Sequence, residues 1–178
     1  MIAQRITKDI RLRALQLTDA IPLFALIERN RVRLGDYFPV TIELIKTPAE
    51  SLAYVTEKLD EAKRRQFYCF VLEGLDGTLQ GIFFLKNINW RVPKCELAYF
   101  IDKDYAGKGI MSKTFPLIID YCFAELKMNR LYLITMANNQ ASRKLAERCG
   151  FEVEGILRND FRLSSGVLVD DVYYGLIR

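Results

Sequence analysis

The 178-residue chain contains no histidine. That absence removes the imidazole base, so no Ser-His or Cys-His nucleophile can be assembled. It also leaves the four cysteines, at positions 69, 95, 122 and 149, without the usual partners of a Cys/His zinc site. None of them forms a CxxC pair, so they read as small buried apolar residues and no metal is expected. Long apolar runs are lacking too. The best candidate, residues 115–126, is interrupted by Asp120 and Glu125 and falls short of the roughly 20 residues a membrane helix needs. Residues 1–13 carry charge throughout and have no signal-peptide core, so a cytoplasmic protein with no membrane partner is expected. Nor is charge of one sign in large excess. A net +4 suits an anionic small ligand, but without a clustered patch it gives no ground for direct nucleic-acid binding. The densest basic run, Lys63-Arg64-Arg65, reads as a solvated helix end.

What is present is an ordinary globular composition, 51% hydrophobic and 27% charged, with no linker or low-complexity stretch. One domain spanning 1–178 is expected. Residues 6–15 read as a strand, and Thr18-Asp19 as the cap of a helix with Pro22 in its first turn, running to about Arg31. Asp36-Tyr37-Phe38-Pro39 reads as a loop with exposed aromatic character. Thr47, Pro48 and Glu50 form a capping-box start to a second helix, with Leu52, Val55 and Leu59 as its apolar stripe. Three strands follow, at 67–73, 78–89 and 95–101. The next helix opens after Gly107-Lys108-Gly109 and aligns Phe115, Ile118, Ile119, Cys122, Phe123 and Leu126. Pro116 should kink it and lie off that face. Residues 131–136 form a continuous apolar run, as in a strand buried on both faces. A helix over 140–149 closes at Gly150, and strands at 151–157 and 168–177 complete the chain. The order β-α-α-β-β-β-α-β-α-β-β predicts an α/β fold: a mixed sheet with a parallel β-α-β in the middle and helices on both faces.

The informative segment runs from Glu96 to Ser112, a strand leading through a glycine loop into a helix N-terminus. Such a turn presents unpaired N–H groups and the positive end of the helix dipole, and so suits phosphate. Gly107-x-Gly109-x-x-Ser112 nearly matches the dinucleotide fingerprint, but the third glycine is missing and no acidic residue ends the next strand. Gly107-x4-Ser112-Lys113-Thr114 nearly matches a P-loop, but serine replaces its second glycine. A third reading covers more of the chain. Asp104-Tyr105-Ala106-Gly107-Lys108-Gly109 is followed by Asn139-Gln140-Ala141-Ser142 and then by Ala146-Glu147-Arg148-Cys149-Gly150-Phe151. With Tyr37-Phe38-Pro39 and a late Asp170-x3-Tyr174, this order resembles the GCN5-related N-acetyltransferases (GNAT), in particular the ribosomal-protein alanine and serine acetyltransferase branch (RimJ/RimL-like).

That resemblance implies the GNAT fold and acetyl-CoA as co-substrate, with transfer to an amine by direct attack in a ternary complex. The implied acceptor is a protein N-terminal α-amino group of the ribosomal-protein type. A small amine (an antibiotic or polyamine) and a non-catalytic CoA-binding module are the alternatives, and a homodimer is compatible with the branch. Implied CoA contacts are Ala106, Gly107, Lys108, Gly109, Ile110 and Met111 at the diphosphate, the strand edge at Phe100, Ile101 and Asp102 at the pantetheine arm, and Asn139 and Ser142 at the next helix start. As helix starters, Asn139 and Ser142 equally suit capping. The catalytic candidates are Glu96 as base, Ser142 as replacement for the family's tyrosine acid (Ala146 here), and Asp160 as a base if the register after Gly150-Phe151 shifts by one.

Overall fold

The computed structural model describes residues 3–178, and the chain falls into two compact units. The first takes the chain up to Phe84 and returns for Tyr99–Ile110; the second takes Leu85–Ala98 and Met111–Arg178.

In the first unit, β1 (Ala3–Arg5) and β2 (Ile10–Ala14) pair antiparallel, Ala3 opposite Arg13. The strand expected over 6–15 is thus interrupted: the N–H groups of Ile6 and Thr7 both return to the Ile10 carbonyl, closing a turn. β2 pairs in turn with β3 (Tyr68–Gly74). α1 (Ala20–Leu34) follows a 3-10 turn, with Asp19 at its N-cap position. The Asp19 carboxylate does not cap the helix; it takes both terminal nitrogens of Arg13 at 2.7 Å, while Glu73 receives the same guanidinium at 2.8 and 3.0 Å. Arg13 and its two carboxylates are all buried, so the triad ties β2, the start of α1 and β3 together.

The loop expected at 36–39 is present through Phe38, and Pro39 begins a helix that was not expected, α2 (Pro39–Leu44), which buries none of its residues and so left no apolar stripe in the sequence. Phe38 is half-buried, its ring 5.2 Å from Phe100 in edge-on contact. α3 (Pro48–Lys63) starts as expected, with Thr47 Oγ1 accepting from the Glu50 N–H. Its buried face is Ser51, Tyr54 and Val55, however, and Leu52 is 48% exposed. Of the expected stripe Val55 is buried and Leu59 half-buried; only Leu52 lies off it, its place taken by Ser51. The Ser51 hydroxyl donates to the Ala20 carbonyl at 2.6 Å and turns a polar residue inward.

β4 (Leu79–Asn89) and β5 (Lys94–Ile101) contribute residues to both units. The strand order is β1-β2-β3-β4-β5 in the first and β4-β5-β6-β8-β7 in the second. In the second unit β5 pairs parallel with β6 (Arg130–Met136), the β-α-β expected around α4 (Ile110–Ala124). β6 then pairs antiparallel with β8 (Leu168–Ile177), and β8 with β7 (Glu152–Arg162). The sheet is mixed, as expected. Along α4, Phe115, Ile118, Ile119, Cys122 and the following Leu126 are buried, and Pro116 is exposed. α5 (Gln140–Arg148) ends at Gly150 in the left-handed conformation, φ +88°.

β6 is not buried on both faces. Leu131 and Leu133 are buried, with Val172 and Tyr174 beside them on β8, whereas Tyr132 and Ile134 are half-buried. Register and alternation place Glu96, Tyr132, Ile134, Tyr173 and Asp171 together on this second face.

Candidate active site

The glycine loop lies in the first unit. The Asp102 N–H donates to the Gln80 carbonyl of β4 at 2.7 Å. Peptide groups on an antiparallel strand alternate in direction, so Phe100 shares that side, while Tyr99 and Ile101 point to the opposite edge. This corrects the expected edge of Phe100, Ile101 and Asp102: of the three only Ile101 presents its peptide outward, joined by Tyr99. The Ile101 carbonyl accepts from Arg33, and the Phe100 side chain is buried in the core. The Asp102 carboxylate pairs with Arg29 at 2.8 Å and accepts the Asp104 N–H. Burial opposes its ionisation, but the Asp104 N–H and Arg29 outweigh that effect and hold its pKa below the usual range. The Lys103 N–H donates to Asn30 of α1 at 2.9 Å. α1 therefore fixes the entry to the loop through three of its residues.

Beyond that anchor the chain stands out in solvent. Residues 106–109 are exposed, and Gly107 and Gly109 have φ of +75° and +73°. These are left-handed conformations in which an L side chain is strained. A Cβ at either position would have no neighbour within 4 Å, so packing does not explain the glycines. Left-handed residues in a turn direct neighbouring N–H groups into a common concavity, here at the first turn of α4. Such a cradle fits a diphosphate. Ile110 is buried and Met111 half-buried, Lys108 lies over the Tyr105 ring at 5.1 Å, and Asp104 is exposed.

The second unit holds a group of carboxylates. Glu96 is 6% exposed. Its Oε1 meets the Lys86 ammonium at 2.9 Å and its Oε2 accepts from Asn87 Nδ2 at 2.7 Å. Burial and the Glu96 charge raise the Tyr132 pKa, and the Asn87 amide acts against them. Glu96 and Tyr132 form the last rung of β5–β6 pairing; beyond it no pair joins Leu97 or Ala98 to β6. Asp160 lies in the irregular stretch of β7 between Leu157 and Phe161 and accepts the Tyr173 hydroxyl at 2.8 Å. That bond, with burial, raises the Tyr173 pKa to about 12. Asp171 is buried, and burial followed by the Asp160 charge raises its pKa as well.

Asn139 caps α5, its Oδ1 accepting from the Ser142 N–H at 3.2 Å. Capping employs the carbonyl oxygen and not the amide nitrogen. Arg143 donates to the Tyr174 hydroxyl and the Ala137 carbonyl, and Ala146 is fully buried. The late Asp170-x3-Tyr174 proves structural: Asp170 accepts the Asn159 N–H at the β7 irregularity, and Tyr174 is buried with its hydroxyl donating to Glu147. The residues that share the face of Glu96 and Tyr132 are their neighbours: Tyr173, opposite Ile134, and Asp171 farther along, opposite Met136. Sequence reading missed these two along with Lys86 and Asn87 of β4 and Tyr132 of β6; the signal for Asp171 and Tyr173 was the odd-numbered half of the β8 alternation.

Comparison with known proteins bears on the family and the fold. The Bacillus subtilis (strain 168) protein named "Putative ribosomal N-acetyltransferase YdaF" is 32% identical over 182 residues, spanning 100% of this chain and 96% of its own length. The spermidine N(1)-acetyltransferase of Escherichia coli (strain K12) is 34% identical over 102 residues, covering 57% of this chain and 52% of its own. Among solved structures, the RimL ribosomal L7/L12 α-N-protein acetyltransferase in complex with coenzyme A superposes with a TM-score of 0.90 over 99% of this chain and 98% of that one. At 19% identity that likeness is one of fold. Residues 9–152 match the acetyltransferase (GNAT) domain, and the chain belongs to this family.

Proposed function

We propose that the protein transfers an acetyl group from acetyl-CoA to a protein N-terminal α-amino group of the ribosomal type. The observation that carries the reading is the pair of left-handed glycines, Gly107 and Gly109, facing open space at the N-terminus of α4. The N–H groups of residues 106–111 hold the diphosphate, with the helix dipole adding to the attraction. The outward peptides of Tyr99 and Ile101 take the pantetheine amides as an added strand would. Asn139 offers its amide nitrogen and Ser142 its hydroxyl from the start of α5. Bound acetyl-CoA supplies an activated thioester, which needs no covalent nucleophile from the protein.

Glu96 is the candidate base. An incoming ammonium must lose a proton before it can attack, and a carboxylate at the place where β5 and β6 stop pairing can receive that proton directly or through one water. Ser142 is the candidate donor to the departing sulfur. Asp160 is bound to Tyr173 and serves better to orient that hydroxyl than as a base. A relative named for ribosomal acetylation that matches the whole chain supports a protein acceptor.

A polyamine acceptor is the second reading. It is favoured by Glu96, Asp160 and Asp171 gathered around Tyr173, a set of carboxylates suited to a polycation, and by spermidine acetyltransferases that match about half the chain. Thiol release from acetyl-CoA, measured with N-terminal Ala and Ser peptides and with spermidine, separates the two. Turnover confined to peptides supports the first reading and turnover confined to spermidine the second. Coenzyme A binding without any thiol release refutes both.

A further inference from the structure

Lys86 and Asn87 are consecutive residues of a strand, yet both reach the same carboxylate. Regular alternation forbids this, because neighbours on a strand point to opposite faces. What permits it is the backbone of Asn87, which has φ +51° within β4. A left-handed residue inside a strand rotates the chain and re-aims the side chains on either side, as β-bulges next to active sites do. Asparagine tolerates this conformation better than most residues, and glycine would relieve it entirely. What glycine lacks is the amide.

That amide carries two N–H donors. One is used on Glu96 Oε2, and Glu96 is paired in register with Tyr132 at the last rung of β5–β6 pairing. Lys86 neutralises the other oxygen of Glu96 from β4, and Tyr173 faces the group from β8. Asn87 itself is exposed and packs into no core.

We propose that Asn87 is a positioning residue: from a left-handed backbone, its amide group holds the Glu96 carboxylate in place where the two strands part. The inference rests on the reading of Glu96 as the base. It makes the acceptor end of the site a four-residue unit, Lys86, Asn87, Glu96 and Tyr132, in which Asn87 acts through Glu96 and not on the substrate.

Two variants keep the backbone content and remove the donors. N87G accepts the left-handed conformation without strain, and N87D accepts it while placing a second carboxylate beside Glu96. Both should fold and bind coenzyme A as wild type does. The kcat of N87G should fall about tenfold, as loss of a hydrogen bond to a charged group predicts. N87D should fall further, and the acidic limb of its kcat/KM profile should move to higher pH, because a neighbouring negative charge favours the protonated form of Glu96. Wild-type kcat and pH profile in N87G would overturn the proposal, as would equal losses in both variants with no movement of the acidic limb. Full activity of E96Q would overturn it while leaving the acetyltransferase reading intact. A wild-type protein that acetylates no amine would remove that reading and the proposal together.

Discussion

Gly107 can be tested against a control built into the same unit. Gly77 turns β3 into β4 with φ +78°, and Gly107 has φ +75°; a Cβ at either would meet nothing within 4 Å. G77A and G107A therefore impose the same cost on the folded chain: about 1–2 kcal/mol for an L-residue in the left-handed region, with no clash to add. For a chain of this size each kcal/mol lowers Tm by roughly 2–4 °C, so both variants should melt about 2–8 °C below wild type. They should separate when coenzyme A is added. At Gly107 the Cβ enters the space where the diphosphate approaches the backbone, and coenzyme A affinity should fall by at least about tenfold, or 1.4 kcal/mol. At Gly77 it should not change. Isothermal titration calorimetry gives the affinities and thermal melting the stabilities. G107A binding coenzyme A as tightly as G77A would show that the anion does not approach this loop, and the assignment of residues 106–111 would fall with it.

Other substitutions probe the second unit and the buried triad. E96Q should lower turnover at neutral pH by at least tenfold with coenzyme A affinity unchanged, since general-base contributions run to about 10²–10⁴; undiminished kcat would clear Glu96. D171N should raise Tm at pH 8, because burial and Asp160 hold the Asp171 pKa above its ordinary value. A carboxyl with a raised folded pKa costs stability when ionised, so the gain should shrink as pH falls; a gain independent of pH would point to packing instead. Glu73 is the opposite case. Its pKa is lowered to about 2, first by its hydrogen bond from Arg13, which outweighs burial. The stabilisation is complete above about pH 4.5 and is lost as pH falls toward 2. From 4.5 to about 2 it amounts to roughly 3 kcal/mol. Urea denaturation should find E73Q destabilised by about that much at pH 7 and by about 1.4 kcal/mol at pH 3, one unit above the folded pKa; a constant difference would refute the linkage.

Much of the fold was legible because its elements carry local chemical marks. Thr47 and Glu50 announce the start of α3, Gly150 the end of α5, and the spacing from Phe115 to Leu126 the buried face of α4. What was missed lacks such marks. α2 buries nothing and has no periodicity to read. The break between β1 and β2 depends on two N–H groups returning to one carbonyl. The burial of Ser51 in place of Leu52 on α3 depends on a serine finding a carbonyl 31 residues away, which no window of sequence contains.

The site divides along the same line. A glycine loop is a property of consecutive residues, so positions 107 and 109 could be found from order alone, and positive φ at both accounts for them. The edge of β5 was only half legible: which peptides face outward is set by the partner strand, and the bond from Asp102 to Gln80 decides it. Around Glu96 the decisive groups come from β4, β6 and β8, separated by tens of residues and joined only by register. Asp170 and Tyr174 drew notice as a motif and turned out to serve packing, while Asp171 and Tyr173, one step along, share the face of the candidate base. A shift of one residue on a strand changes the face and hence the role. The same rule, broken at Asn87 by a single left-handed residue, brings Lys86 and Asn87 onto one carboxylate, and that exception is legible only in three dimensions.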